Sequence, residues 1–196
     1  ADLEILKQIA SAGKNSRDIA FNMSIRVGKL FEAISMAPQI TISSVEGAAM
    51  AGAFGIACAT DFLVTMSDAK YALTETKIGL TPAQIAPYVI KRLGFSNAKR
   101  LMLMGTLFNG KKAFEMGMAD YVADNEIEFS EQINSIKNQV NKCAPSAIGV
   151  TKKILNSHIN IDAEEAALIF SNCVIHEEGL EGLASFFEKR KPYWNK

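Results

Sequence analysis

The 196-residue sequence lacks an excess of either charge, because 21 Lys and Arg residues balance 21 Asp and Glu residues. A protein that binds nucleic acid or an anionic membrane usually concentrates positive charge, so we expect neither partner. No apolar run reaches the length of a membrane-spanning helix, and no basic leader followed by an apolar run opens the sequence. The sequence therefore predicts an ordinary globular domain.

Cysteine and histidine are also scarce. Cys58, Cys143 and Cys173 are odd in number, far apart and set in apolar stretches, which is typical of reduced, buried thiols in a cytoplasmic protein. A metal site needs clustered ligands, so we expect none. His158 and His176, the only histidines, lie in the C-terminal part and are interpreted as surface or interface groups. A serine peptidase would need a Ser–His pair, and no such pair lies near the glycine-rich stretch.

Strands alternate with helices in the first part of the chain. Apolar spacing predicts helices over 2–11 and 16–36, followed by the strands "QITISSV", "DFLVTMS" and "AKYALTE". Two further helices are bounded by Gly94 and Gly105. The rest is predicted to be helical, over 125–142, 146–157, 163–177 and 180–190. We therefore expect an α/β core at 1–124 and a helical region at 125–196.

Three glycines punctuate the stretch "GAAMAGAFGIACATD", which begins at Gly47. Their spacing matches neither phosphate-binding glycine motif, and no Lys follows to meet a phosphate. A closely packed buried helix explains the small, uncharged residues. A helix that begins near Ala51 or Gly52 would also present free amides and the positive end of its dipole. A glycine there admits a substrate carbonyl, as an oxyanion hole requires.

The same stretch resembles the pattern GxAxGGGxELAxxCD of the enoyl-CoA hydratase/isomerase (crotonase) superfamily. The segment "SDAKYALTETKIGLTP" is similar to the family's A-x-F-x-x-P-E-x-x-I-G-x-x-P, and "ADL" and "FFEKRKPYW" are similar to its segments near either end. The resemblance covers essentially the whole chain. It implies a crotonase-type ββα spiral core with a C-terminal helical trimerisation region. Additional residues before Ala1 would supply the first strands of the spiral, which are missing from this sequence.

The resemblance also implies a site and its partners. Acyl-CoA thioesters are the expected substrates, with coenzyme A entering as part of the substrate, without a separate cofactor or metal. The chain is expected to associate with itself as a homotrimer or a dimer of trimers. Glu75 is the expected acid/base residue, and the backbone amides of Gly52 and Ala1 are the expected oxyanion donors. The expected substrate-binding residues are Ala1, Asp2, Leu3, Ala51, Gly52, Gly55, Thr74 and Glu75.

One departure from the family pattern leaves the reaction open. Gly55 stands where hydratases of the family carry a first catalytic glutamate, so Glu75 is the remaining carboxylate. Hydration delivers water to Cβ and a proton to Cα, and two carboxylates usually share these two steps. Migration of a double bond needs only one base, so the single glutamate favours an isomerase. The segment "LTETKIGLTPAQIAPYVIKRLG" instead resembles the branch of methylglutaconyl-CoA and isohexenylglutaconyl-CoA hydratases. A non-catalytic protein that binds acyl-CoA is the third alternative.

Overall fold

The computed structural model describes residues 3–157 and 161–195, with the side chain of Leu3 excepted. Within those residues the helices are α1 (Leu3–Ser11), α2 (Ser16–Met36), α3 (Gly52–Ala59), α4 (Ala86–Met104), α5 (Gly110–Glu115), α6 (Glu126–Val140), α7 (Pro145–Asn156), α8 (Ala163–Ile175) and α9 (Glu177–Phe187). The strands are β1 (Ile42–Val45), β2 (Ala48–Met50), β3 (Phe62–Met66), β4 (Lys70–Ala72), β5 (Phe108–Asn109) and β6 (Tyr121–Ala123).

These strands form two small sheets. In the first, β3 lies between β1 and β6, and both pairings are parallel. In the second, β4 lies between β2 and β5, parallel to β2 and antiparallel to β5. Parallel pairs need a crossover, and α3 supplies it for β1 and β3 as well as for β2 and β4. The two sheets therefore share one crossover helix, the one that carries the glycine-rich stretch.

The described chain separates into two compact units. The first extends to Ser35 and resumes over Thr41–Gln132, and the second comprises Met36–Ile40 and the chain from Ile133 onward. All six strands and helices α3 to α5 lie in the first unit, whereas α7 to α9 lie in the second. The candidate site residues that are described also lie in the first unit.

The core of the first unit explains the small residues of α3. Five residues of this eight-residue helix are buried, and only small side chains allow so complete an enclosure. Phe54 is the exception in size. Its ring meets those of Tyr71 and Phe108 edge-on, with centroids 6.1 and 6.0 Å away, while Tyr71 and Phe108 stack at 5.6 Å. The aromatic cluster fixes α3 against β4 and β5.

Helix α4 consists of two helical segments that meet at Gly94, in agreement with the predicted helices bounded by Gly94 and Gly105. It is continuous over Ala86–Met104 except at Gly94, whose φ of 70° and ψ of 163° interrupt the helical backbone. Glycine tolerates that conformation, so the helix kinks there and resumes. Gly105 ends the helix in the left-handed region, with φ of 58°, as predicted from the sequence.

In the second unit, helices α8 and α9 meet at a single residue. The prediction of a helix over 163–177 was too long, because His176 has an extended backbone (φ −68°, ψ 151°) and serves as the cap of α9. Its Nδ1 atom accepts a hydrogen bond from the N–H of Glu178 at 3.3 Å. Arg190 donates to both carboxylate oxygens of Glu181, at 2.5 and 2.7 Å, which holds the end of the described chain against α9.

None of the helices in the described part of the chain is long and apolar enough to cross a membrane.

Candidate active site

The start of α3 is held in an unusual backbone conformation. Ala51, the residue before the helix, has φ of 48° and ψ of −115°, which a residue with a Cβ rarely adopts. Its N–H donates to the carbonyl of Ala72 at 2.9 Å, and its carbonyl accepts from the N–H of Gly55 at 3.1 Å. These two bonds stabilise the strained residue, and such outliers concentrate at functional sites.

Gly52 is the first residue of α3, consistent with the predicted start near Ala51 or Gly52. The amides of a first helical turn have no carbonyl partner within the helix, and they carry the positive end of its dipole. Gly52 is half-buried, and its lack of a side chain leaves that amide accessible to a ligand atom. The position can stabilise a partial negative charge on an oxygen atom.

Parallel pairing brings Gly52 and Glu75 to one edge of the second sheet. Met50, the last residue of β2, pairs with Ala72, the last residue of β4. Gly52 follows Met50 by two residues and Glu75 follows Ala72 by three. Because the carboxyl ends of parallel strands meet at the same edge, the predicted oxyanion donor and the predicted acid/base residue lie in one region.

Glu75 begins a 3-10 turn that extends over Glu75–Ile78. The turn closes with the N–H of Leu80 donating to the carbonyl of Glu75 at 2.9 Å, and Gly79 adopts the left-handed conformation (φ 75°) that the closure requires. The Glu75 side chain is half-buried. Its Oε2 atom is buried and has no hydrogen-bond partner among the described residues. A buried carboxylate oxygen without a partner is costly, so a ligand or water that donates to it would be favoured.

Thr74, a predicted substrate-binding residue, precedes that turn. Its backbone lies in the sparsely allowed bridge region, with φ of −96° and ψ of 4°. Its carbonyl accepts from the N–H of Lys77 at 3.0 Å, and its side chain is half-buried. The backbone conformation of Thr74 therefore connects buried Leu73 to the turn that begins at Glu75.

The space beside Gly55 is filled by apolar side chains. A Cβ atom at Gly55 would lie 2.9 Å from Cζ of Phe31 and 3.0 Å from Cγ1 of Ile85, closer than ordinary contacts permit. The ring of Phe31 also packs on that of Tyr88, with centroids 5.6 Å apart. No side chain larger than hydrogen fits at position 55 without movement of these groups. Their location, which the sequence did not predict, makes this side of the site apolar.

Gln84 positions Ile85 over Gly55. Its Nε2 atom donates to Oγ of Ser24 at 3.1 Å, and its amide group lies directly over Gly28 of α2, where a Cβ atom would overlap it. Burial raises the pKa of the nearby Tyr88 hydroxyl, and the negative charge of Glu32 raises it further.

Three predicted site residues lie at the beginning of the chain. Ala1 and Asp2 lie outside the described residues, and Leu3 is described only as the first residue of α1. The other predicted site residues follow the paired ends of two strands: Ala51, Gly52 and Gly55 come after β2, and Thr74 and Glu75 come after β4. Asp61, which lies two residues after α3, accepts hydrogen bonds from the N–H and Oγ1 of Thr41 at 2.7 and 2.9 Å.

Comparison with known proteins identifies the family. The family model described as enoyl-CoA hydratase/isomerase matches residues 6–196. The solved structure of AtuE from Pseudomonas aeruginosa is 32% identical, with a TM-score of 0.92 over 100% of this chain and 76% of that one. An enoyl-CoA hydratase/isomerase from Marinobacter aquaeolei is 31% identical, with the same TM-score and coverage. Crotonyl-CoA hydratase of Syntrophomonas wolfei is 28% identical over 83% of this chain and 64% of its own length.

The chain therefore belongs to the enoyl-CoA hydratase/isomerase family, and the expected crotonase-type fold is confirmed. Family membership supports a catalytic role and implies an acyl-CoA thioester as substrate. The chain spans less than two thirds of the Syntrophomonas relative.

Proposed function

We propose that this chain adds water to a 2-enoyl-CoA through an enolate that an oxyanion hole stabilises. The observation that carries the proposal is the unpartnered, buried Oε2 atom of Glu75 at the sheet edge where α3 begins. A carboxylate base beside free helix amides is suited to chemistry at the carbons next to a thioester carbonyl. The similarity to a crotonyl-CoA hydratase supports the same reaction class.

In this proposal the thioester oxygen accepts hydrogen bonds from two backbone amides. Gly52 supplies one of them from the first turn of α3. The amide of Ala1, which lies outside the described residues, is the second donor that the family resemblance implies. Together the two N–H groups would hold the negative charge that develops on oxygen when the enolate forms. Coenzyme A enters as part of the substrate, and the proposed chemistry uses no metal or redox cofactor.

Glu75 performs both proton transfers in the proposed hydration. Its carboxylate accepts a proton from water while the water oxygen bonds to Cβ, and the electrons of the double bond move to the thioester oxygen. The enolate then collapses and takes the same proton from Glu75 at Cα. One carboxylate suffices for this sequence because the proton that it removes is the proton that it returns.

The apolar surroundings of Gly55 favour a second candidate function. With Phe31 and Ile85 in the space beside Gly55, the described residues provide no second carboxylate at that position. An isomerase would need only Glu75, which would remove a proton from Cα of a 3-enoyl-CoA and return it to Cγ through a dienolate. The product would be the conjugated 2-enoyl-CoA.

For the hydratase we propose a branched or carboxylated acyl group. The support is the resemblance of residues 73–94 to the methylglutaconyl-CoA and isohexenylglutaconyl-CoA hydratase branch. The position of the first catalytic glutamate, which is Gly55 here, is glycine in that branch too, so a single glutamate is compatible with hydration there.

We also propose self-association as a homotrimer or a dimer of trimers, in the cytoplasm. Helices α8 and α9 support an assembly through their exposed apolar side chains, which include Phe170, Ile175, Phe186 and Phe187, each more than two thirds exposed. Unassembled soluble domains seldom expose so many large apolar groups. Light scattering during size-exclusion chromatography is expected to give three or six chain masses, and a monomer would contradict the proposal.

A turnover assay with three substrates tests the function. Crotonyl-CoA, 3-methylglutaconyl-CoA and a 3-enoyl-CoA would be supplied separately, and the products resolved by mass spectrometry and absorbance of the conjugated thioester. Hydration of 3-methylglutaconyl-CoA, with little of crotonyl-CoA, is the expected result. Migration of the double bond without hydration would support the isomerase instead. Binding of all three without turnover would overturn both and support a non-catalytic acyl-CoA-binding protein.

A further inference from the structure

The turn that carries Glu75 is held from outside the active site by the C-terminal end of α4. Oγ1 of Thr76, the residue after Glu75, donates to the carbonyl of Met102 at 3.2 Å. Gly105, the cap of α4, lies close to Leu73 and Lys77, which flank Glu75 in the sequence. A Cβ atom at Gly105 would be 3.1 Å from the carbonyl oxygen of Leu73 and 2.9 Å from Cε of Lys77. These contacts reach the chain on both sides of Glu75.

The contact at Leu73 is the less adaptable of the two. Lys77 is exposed and the end of its side chain can move, whereas Leu73 is 1% exposed and offers a backbone atom. Leu73 directly follows β4, and only Thr74 separates it from Glu75. A group that displaces the Leu73 carbonyl therefore displaces the backbone that aims the Glu75 side chain.

We infer that Gly105 is a positioning residue for Glu75. Because it has no side chain, the end of α4 can pack closely against the Leu73–Lys77 segment, and this packing sets the position of the Glu75 carboxylate. The inference rests on the proposed role of Glu75 as the acid/base residue. Proton transfer needs heavy atoms within hydrogen-bond reach, so a shift of a few tenths of an ångström at Leu73 is transmitted to the rate. Gly105 itself does not contact substrate in this scheme.

Gly105→Ala and Gly117→Ala form a matched pair of variants. Both glycines have positive φ, 58° and 73°, so alanine strains the backbone at each. A Cβ atom at Gly117 would meet nothing within 4 Å, whereas one at Gly105 would meet the turn. Backbone strain is thus expected to lower stability in both variants, with a further loss at Gly105 from the crowded Cβ atom, and only Gly105→Ala displaces the segment that carries Glu75.

Steady-state kinetics with the substrate that the protein turns over, measured below both unfolding transitions, tests the inference. Gly105→Ala is expected to lower kcat about tenfold, because small misplacements of reacting groups are expensive, while KM changes less than about twofold. Gly117→Ala is expected to retain the kcat of the unmodified protein. Equal kcat values for the two variants would overturn the inference.

Thr76 provides a second test that does not add a group at Gly105. Thr76→Val removes the hydrogen bond to Met102 and is expected to lower kcat, whereas Thr76→Ser keeps the hydroxyl and is expected to restore it. Equal kcat for these two variants would also contradict the inference. Glu75→Gln distinguishes failure of the proposed function from failure of the positioning role. If Glu75→Gln is inactive while Gly105→Ala keeps full activity, only the positioning role of Gly105 fails. Full activity of Glu75→Gln would remove the proposed function and this inference together.

Discussion

A Cβ atom on Gly55 would lie 2.9 Å from the Cζ atom of Phe31. Phe31 is 1% exposed and Ile85, on the same side, is 6% exposed, so neither can withdraw into solvent without opening the core. The glycine and its apolar neighbours are therefore complementary in shape. The absence of a carboxylate at this position is built into the packing of α2, α3 and the start of α4.

Gly55→Ala is expected to reduce the free energy of unfolding by up to about 2 kcal/mol. Overpacking against Phe31 and Ile85 costs about 1–3 kcal/mol, which outweighs the gain of about 1 kcal/mol from replacing a helical glycine by alanine. Urea denaturation measures the change. Gly47→Ala is the control, because a Cβ atom there would meet nothing within 4 Å.

A smaller side chain at position 31 tests whether Phe31 causes this loss of stability. Phe31→Leu makes space beside position 55, so Gly55→Ala should cost less in that background than in the unmodified protein. Additive effects of the two substitutions would show that Phe31 is not what opposes a side chain at Gly55.

Gly52→Val is expected to reduce activity more than stability. The side chain would crowd the amide that is proposed to bind the thioester oxygen, and loss of one oxyanion donor costs about 10²–10³ in kcat. The measurement is kcat alongside the thermal unfolding midpoint. An unchanged kcat, or a variant that fails to fold, would instead indicate that Gly52 serves packing alone.

The buried thiol of Cys58 is expected to lower the free energy of unfolding at alkaline pH. Burial raises the pKa of its thiol from the ordinary 9.0 to about 12, against a smaller opposing effect of Arg92. Between those pH values the unfolded chain loses the thiol proton and the folded chain keeps it, so stability falls as pH rises above about 9. The loss approaches about 1.4 kcal/mol per pH unit for one group.

Cys58→Ala isolates that contribution, because alanine does not ionise. Urea denaturation from pH 8 to pH 11 is expected to show a shallower loss for the variant. Tyr71 maintains part of the slope in both proteins, since burial raises the pKa of its hydroxyl to about 12 despite the hydrogen bond to Thr65. Identical slopes for variant and unmodified protein would mean that the Cys58 thiol ionises as readily when folded as when unfolded.

Local sequence signals predicted much of the fold. Apolar periodicity placed α1 and α2 within a residue of their observed bounds, and small residues after a strand predicted that α3 begins near Ala51 or Gly52. Gly105 was recognised as the end of a helix because glycine readily adopts the left-handed backbone conformation that ends many helices. These features depend on residues that are neighbours in the sequence.

Features that depend on distant residues were not predicted. Strands β2 and β5 contain three and two residues, too few for a periodic pattern, and they exist because β4 pairs with both. The filling of the space beside Gly55 likewise depends on Phe31 of α2 and on Ile85, which directly precedes α4. The sequence identified Gly55 as a departure from the family pattern, but only the packing shows what replaces the missing side chain.

The most direct test of the proposed chemistry is Glu75→Gln, which removes the carboxylate base and preserves the size of the side chain. The measurement is kcat with the preferred enoyl-CoA, together with calorimetric binding of butyryl-CoA, a saturated thioester that the protein cannot hydrate. We expect kcat to fall by at least about 10²-fold, the usual contribution of a general acid/base, with butyryl-CoA bound as tightly as before. Turnover at the unmodified rate would contradict the assignment of Glu75 and the mechanism that depends on it.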